Sequence, residues 1–262
     1  MFLYVRNIKY LLLLSLFVFP LFSCKNQSNQ KVESTETEKN ETNACGEIDF
    51  NKSLSEDDYK KIFEICYKEA QKNNKEAQNN LAVMYSLGYG ISKNLEKSFE
   101  WYSKSAKQGN VIAQKNLAAF YANGDGGNKN YEKAFEWYLK AAEQNDSEAQ
   151  YYLGVLYENG LGVSKNLEKA FDWYSKSAKE GDILAQFNVA TFYANGIATN
   201  KNLEKAFEWY SKAAGQNYSE AQYIIGLMYY KGEGVQKNEA LGEEWIIKSA
   251  KNGYSRAQEL IE

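Results

Sequence analysis

The chain has 262 residues and a formal charge of −3; 25% of its side chains are charged and 15% aromatic, enough apolar material for an extended core in a soluble body. It has one proline, Pro20, and no histidine, so it leans helical and lacks the commonest general base and metal ligand. No long basic run of the kind that binds nucleic acid occurs.

In chain order, Arg6 and Lys9 precede the apolar stretch YLLLLSLFVFPLF at 10–22. That stretch is too short for a comfortable membrane span and suits the core of a signal peptide. It closes in Leu21-Phe22-Ser23-Cys24. This ending resembles the bacterial lipoprotein signal, in which Leu stands three before a cysteine and a small residue directly before it. Phe22 departs from the small residue usual between them. The resemblance implies that residues 1–23 are removed and that Cys24 becomes a lipidated first residue in the bacterial cell envelope. Acyl chains contribute about 0.8 kcal/mol per buried methylene, so three make a stable anchor. Lys25 after the cysteine points to the outer membrane by the enterobacterial sorting pattern. Residues 24–54 are expected to form a disordered tether, because 25–44 carry almost nothing apolar to offset ordering entropy. Twenty such residues reach roughly 25 Å.

The remainder, 55–262, is organised by a repeat. Trp101, Trp137, Trp173, Trp209 and Trp245 are the five tryptophans, each 36 residues from the next. Gln78, Gln114, Gln150, Gln186, Gln222 and Gln258 keep the same step, as do Lys68, Lys104, Lys140, Lys176, Lys212 and Lys248. Full units run 77–112, 113–148, 149–184, 185–220 and 221–256. Residues 58–76 match the second half of a unit and 257–262 the start of one. Within unit 1, Ala77, Leu81 and Tyr85 form one apolar helical stripe, and Gly88 stops the helix. Asn94 suits the N-cap of a second helix carrying Phe99, Trp101, Tyr102 and Ala106. That helix is expected to end at Gly109, with Asn145, Gly181, Asn217 and Gly253 as equivalents. The aromatic and alanine columns read as interhelical core, with the Trp buried between its own unit's helices. The Lys column reads as a solvated stem lying along an aromatic ring. Units 1 and 3 share 22 of 36 residues and units 2 and 4 share 26, against 19 for units 1 and 2, so a two-unit block duplicated as a whole.

Unit 3 shows the pattern most fully, in Ala149, Leu153, Gly154, Tyr157, Gly160, Gly162, Val163, Lys169, Ala170, Trp173, Lys176, Ala178 and Gly181. It resembles the Sel-one-like repeat, a 36-residue relative of the tetratricopeptide repeat. The resemblance covers about 58–262 and implies an all-α, α/α superhelical solenoid that binds other proteins. Ala198 and Thr199 depart from the family's Gly and Val in unit 4, and Glu243 replaces the Phe column in unit 5, where a terminal unit caps the stack.

By analogy with tetratricopeptide relatives, the outer face of each first helix lines a concave groove. One column there reads Asn79, Lys115, Tyr151, Phe187 and Tyr223; the next reads Asn80, Asn116, Tyr152, Asn188 and Ile224. Groove asparagines in related solenoids bond an extended peptide backbone, which makes Asn80, Asn116 and Asn188, with Lys115, candidate partner contacts. A solvated helix face is the plainer reading of the asparagines. Tyr151, Phe187 and Tyr223 are expected to anchor a partner, or else to pack on the next unit. Cys45 and Cys66 remain once Cys24 is acylated. An even pair in an oxidising compartment suggests a disulfide; the alternative is two free thiols, Cys66 filling the Tyr102 column.

Enzymatic signals are poor. Cysteine-rich members of the family are linked to penicillin binding or hydrolysis, with a disulfide in each repeat, but no full repeat here holds a Cys. The sole S-x-x-K, Ser28 to Lys31, lies in the tether with no K-T-G after it. The expected role is therefore a non-enzymatic adaptor for another envelope protein or peptide, without cofactor, metal or small-molecule substrate. A structural or surface-antigenic lipoprotein is the alternative, and a cell-wall or β-lactam-related enzyme the remote one. Wild-type protein should incorporate labelled palmitate, and Cys24→Ser should leave it soluble or as precursor; an unlabelled wild type contradicts the anchor.

Overall fold

The computed structural model describes Cys45, residues 54–125 and residues 127–261. The signal peptide, Cys24 and all of the tether apart from Cys45 and residue 54 lie outside the described residues. Twelve helices and no strand occur among the described residues: α1 (Glu56–Gln71), α2 (Lys75–Leu87), α3 (Leu95–Lys107), α4 (Val111–Asn123), α5 (Tyr131–Ala142), α6 (Ser147–Asn159), α7 (Leu167–Lys179), α8 (Ile183–Asn195), α9 (Leu203–Gly215), α10 (Ser219–Lys231), α11 (Glu239–Lys251) and α12 (Ser255–Ile261). The substantial contacts all join helices adjacent in sequence, as in a solenoid. The even-numbered helices from α2 to α10 are the first helices of five units, and α3 to α11 their second helices. Helix α1 is a lone second-type helix and α12 a lone first-type helix.

The polar columns set the helix ends. Asn94, Asn130, Asn166, Asn202 and Asn238 each accept a backbone N–H three residues on, capping every second helix. Asn74, Asn110, Asp146 and Asp182 cap first helices in the same way, whereas Tyr218 makes no side-chain cap for α10. First helices end on left-handed glycines, from Gly88 at φ 82° to Gly232 at φ 75°. The expected ends of the second helices, Gly109, Asn145, Gly181, Asn217 and Gly253, also adopt positive φ. Two residues after the first-helix glycine the chain presses on the preceding unit. A Cβ on Gly162 would lie 2.2 Å from the Tyr131 carbonyl, and Ala198 holds the equivalent turn at φ 53°.

Packing between units follows a herringbone. Phe63, Phe99, Phe135, Phe171 and Phe207 meet Tyr85, Tyr121, Tyr157, Tyr193 and Tyr229 of the following unit edge-on, with centroids 5.2–5.3 Å apart. Ala106, Ala142, Ala178, Ala214 and Ala250 are buried and let helices approach. The tryptophans correct the sequence reading. Trp101 alone is buried, at 7% exposure, while Trp137, Trp173, Trp209 and Trp245 are half-buried. Trp137, Trp173 and Trp209 each border the cores of two neighbouring units, and the Lys three residues on covers an open face. The fully enclosed aromatic is the next residue, in Tyr102, Tyr138, Tyr174 and Tyr210.

Side-chain amides tie the unit junctions together. Each of Gln78, Gln114, Gln150, Gln186, Gln222 and Gln258 donates Nε2 to an alanine carbonyl eight residues back, 3.1–3.3 Å away, at the end of the preceding second helix. The Oε1 atoms of Gln78, Gln114, Gln186 and Gln222 accept from Gln108, Gln144, Gln216 and Asn252, at 2.7–3.0 Å. Unit 3 places Glu180 there, and an ionised carboxylate has no N–H to give. Gln150 Oε1 is accordingly buried without a partner. Because an unmet buried acceptor costs about 1–3 kcal/mol, Glu180→Gln should raise stability by roughly 1 kcal/mol in denaturant melts, and Gln144→Glu should lower it. Unchanged midpoints in both would show that the ladder carries no energy.

Candidate protein-binding groove

The candidate groove is the outer stripe of the first helices. Its residues recur every three or four positions along each helix, so that Ile112, Lys115, Asn116 and Ala119 share one face of α4, and Leu184, Phe187, Asn188 and Thr191 one face of α8. Tyr151, Phe187 and Tyr223 occupy it in register, and all three are half-buried. Tyr151 lies against Tyr152 and Tyr174, with centroids 5.3 and 5.7 Å away. Phe187 contacts Tyr210 and Tyr218 at 5.3 and 5.1 Å, and Tyr223 contacts Tyr254 at 5.3 Å. Each ring therefore rests on its own unit's second helix or on the turn that follows, and only its remaining edge faces outward.

The asparagines turn partly inward. Asn116 stands within hydrogen-bonding reach of the Tyr102 hydroxyl, and Asn188 within reach of Tyr151 and Tyr174. Tyr174 also donates to Glu158 at 2.6 Å, and the Tyr210 hydroxyl lies 3.0 Å from Thr191 Oγ1. Asn80 Nδ2 donates to the Cys45 carbonyl. Cys45 and Cys66 are joined as a disulfide, and Cys66 holds the tyrosine position of α1. The bridge thus fills the space that a tyrosine ring fills in later units, and its carbonyl meets the asparagine that a tyrosine hydroxyl would meet. The expected asparagine ladder serves this internal column first. Tyr152 interrupts it because it stacks on Tyr138 at 5.0 Å.

Lys115 is likewise engaged. Its Nζ lies 2.7 Å from Glu148 and 3.4 Å from Asp146, with the side chain 17% exposed. Burial opposes its charge, but these carboxylates outweigh burial and hold the ammonium above its ordinary pKa. Burial pushes the Asp182 carboxyl up, and Glu148 and Asp146 push it further. Burial likewise raises the hydroxyls of Tyr102, Tyr151, Tyr152 and Tyr174, and takes Tyr210 to about 12. None is activated toward ionisation. Sequence reasoning missed Asp182, Glu148 and the exposed Ile112 and Leu184, although Ile112 and Leu184 alternate visibly with Glu148 and Glu220 in one column.

The Sel1 repeat profile matches residues 75–110, 111–146, 147–182, 183–218 and 219–254. The chain belongs to the Sel1 repeat family. Repeats of this kind generally serve as protein-interaction scaffolds. A protective antigen present in uropathogenic Escherichia coli strains, displaying the same repeat fold, is 36% identical, with a TM-score of 0.74 over 76% of this chain. The match spans 43% of that antigen's chain. A Sel1 repeat protein from Oxalobacter formigenes is 34% identical, with a TM-score of 0.71 over 77% of this chain and 80% of its own. An immunity protein from Pseudomonas aeruginosa, 22% identical with a TM-score of 0.50 over 82% of this chain and 79% of its own, shares the fold alone. No curated protein matches the chain significantly.

The Sel1 repeat tryptophan and tyrosine can be separated experimentally. Tyr174→Ala opens a fully enclosed site and strips Glu158 and Asn188 of a shared partner, so it should cost about 3–5 kcal/mol. Trp173→Ala removes a half-exposed ring and should cost less. Equal losses in denaturant melts would contradict the burial order.

Proposed function

We propose that this Sel1 repeat chain is a non-enzymatic adaptor, held in the bacterial envelope by a lipid on Cys24, that seats a segment of another envelope protein in the first-helix groove. The observation that carries the reading is that the stripe keeps at least one outward apolar side chain on each of α4, α6, α8 and α10. Ile112 and Leu184 are 38% and 42% exposed, and Tyr151, Phe187 and Tyr223 keep outward edges. Contiguous exposed apolar surface marks contact sites on soluble bodies, and aromatic anchors dominate binding energy. The Asn80–Cys45 contact supports it further, because here a groove amide already holds main chain. Lys115, Asn116 and Asn188 border the stripe and would add polar contacts with the capacity that internal bonding leaves. A surface-antigenic role is the second reading, favoured by the likeness to the uropathogenic antigen.

Truncating the three rings tests this poorly, because they also support Tyr174, Tyr210 and Tyr254. Ile112→Lys with Leu184→Lys changes exposed positions only. The double variant should keep its helical circular dichroism and melting midpoint while losing most partner capture. A photo-crosslinking side chain at position 184 should give a discrete adduct in envelopes, and one at position 208, on the second-helix face, should give none. Equal adducts at both positions, or full capture by the double variant, would defeat the groove.

A further inference from the structure

The two faces handle charge differently. On the second helices, Lys104, Lys140, Lys176, Lys212 and Lys248 place Nζ 3.8–4.9 Å above the tryptophan rings, so that aromatic row carries its own cations. In the groove the rings of units 3 to 5 stand instead among carboxylates. Asp146 and Asp182 cap α6 and α8, and Glu148 and Glu220 sit in the first turns of α6 and α10. Asp182 spends one oxygen on the Ala185 N–H, 2.7 Å away. Asp146 and Glu148 share the one ammonium of Lys115. Glu220 is offset in part by Arg256 at the far end. Tyr151 feels Asp182 and Glu158, Tyr152 feels Glu148 and Asp182, and Tyr218 feels Glu220. Helix dipoles favour acids at first-helix starts. The same column nevertheless holds Ile112 and Leu184, so the dipole alone does not fix an acid there.

The geometry points to one occupant, and we propose that units 3 to 5 take an extended, cationic segment of the partner. Its Lys or Arg heads would lie between Asp182, Glu148 and Glu220. Apolar residues between them would meet Leu184, Phe187 and Tyr223. The proposal rests on the groove being the contact face and adds the chemistry of what enters it. Cations gain at such a surface from the carboxylates, and the complementarity governs both partner choice and capture rate.

The probe is a fluorescent alternating Arg-Ala peptide of about twelve residues, roughly 40 Å long when extended, with an alternating Glu-Ala peptide as control. The Arg-Ala peptide should bind and the Glu-Ala peptide should not. Raising salt from about 50 to about 300 mM should weaken binding several-fold. Glu148→Gln, Asp182→Asn and Glu220→Gln together should weaken it about tenfold or more, worth at least about 1.4 kcal/mol. Asn caps a helix as well as Asp, so this variant should stay folded. The second-helix set Glu100→Gln, Asp172→Asn and Glu208→Gln should bind like wild type. Should the groove set melt early, Leu184→Lys places a repelling charge at an exposed site and should weaken binding on its own. Equal loss in both triple sets, or undiminished binding by both the groove set and Leu184→Lys, would overturn the proposal. If position 184 still crosslinks in envelopes while the peptide fails to bind, the groove stands and its cationic occupant falls.

Discussion

A helix that stops inside a stack leaves carbonyls with no partner, and in a tightly packed junction water has little room to supply one. Here the alanine carbonyl near the end of each second helix accepts the backbone N–H three residues on, and the glutamine at the head of the next first helix gives it a second donor from across the junction. That bond ties the end of one helix to the head of the next. The alanines can then be fully enclosed, and each phenylalanine meets the next unit's tyrosine at nearly the same separation. The outer stripe of the first helices is in turn held in register from unit to unit, which is the condition for any groove.

Much of this was readable from residue spacing. Period, caps, left-handed stops and the two lone end helices are local features, and each repeats often enough to rise above chance. Depth was harder. Trp173 and Tyr174 are adjacent on one helix, and periodicity locates a face without saying which of two large rings goes under it. The tryptophan spans two units and keeps one face for a lysine stem, whereas the smaller tyrosine fits completely under the first helix. The groove asparagines misled for a related reason. A polar residue on an outer stripe looks solvated, yet a buried hydroxyl in the preceding unit needs a partner, and Asn116 and Asn188 stand within reach. The gap at Gln150 was visible in principle, since Glu180 aligns with Gln108, Gln144, Gln216 and Asn252. It becomes meaningful only once those columns are known to touch.

The two-unit duplication reaches into the chemistry of both faces. Ser105, Ser177 and Ser249 in the odd units donate to backbone carbonyls at the start of their own first helices, and Ala141 and Ala213 fill the same place in the even units. The stripe alternates in step, with Glu148 and Glu220 on α6 and α10, the first helices of odd units, and Ile112 and Leu184 on α4 and α8, those of even ones. A ligand lying along it would therefore meet this acidic or apolar position with a two-unit rather than a one-unit period.

The bridge between Cys45 and Cys66 stands where later units place a tyrosine. A tyrosine is present as soon as the chain is made, but this substitute exists only after two thiols are oxidised. The first layer of the solenoid is thus completed by a chemical event rather than by folding alone. Without the bridge, Cys66 and the Asn80 amide would lose the covalent tie that holds Cys45 against them. Closure of the first layer is in this sense set by oxidation of Cys45 and Cys66, where later layers need only a tyrosine side chain.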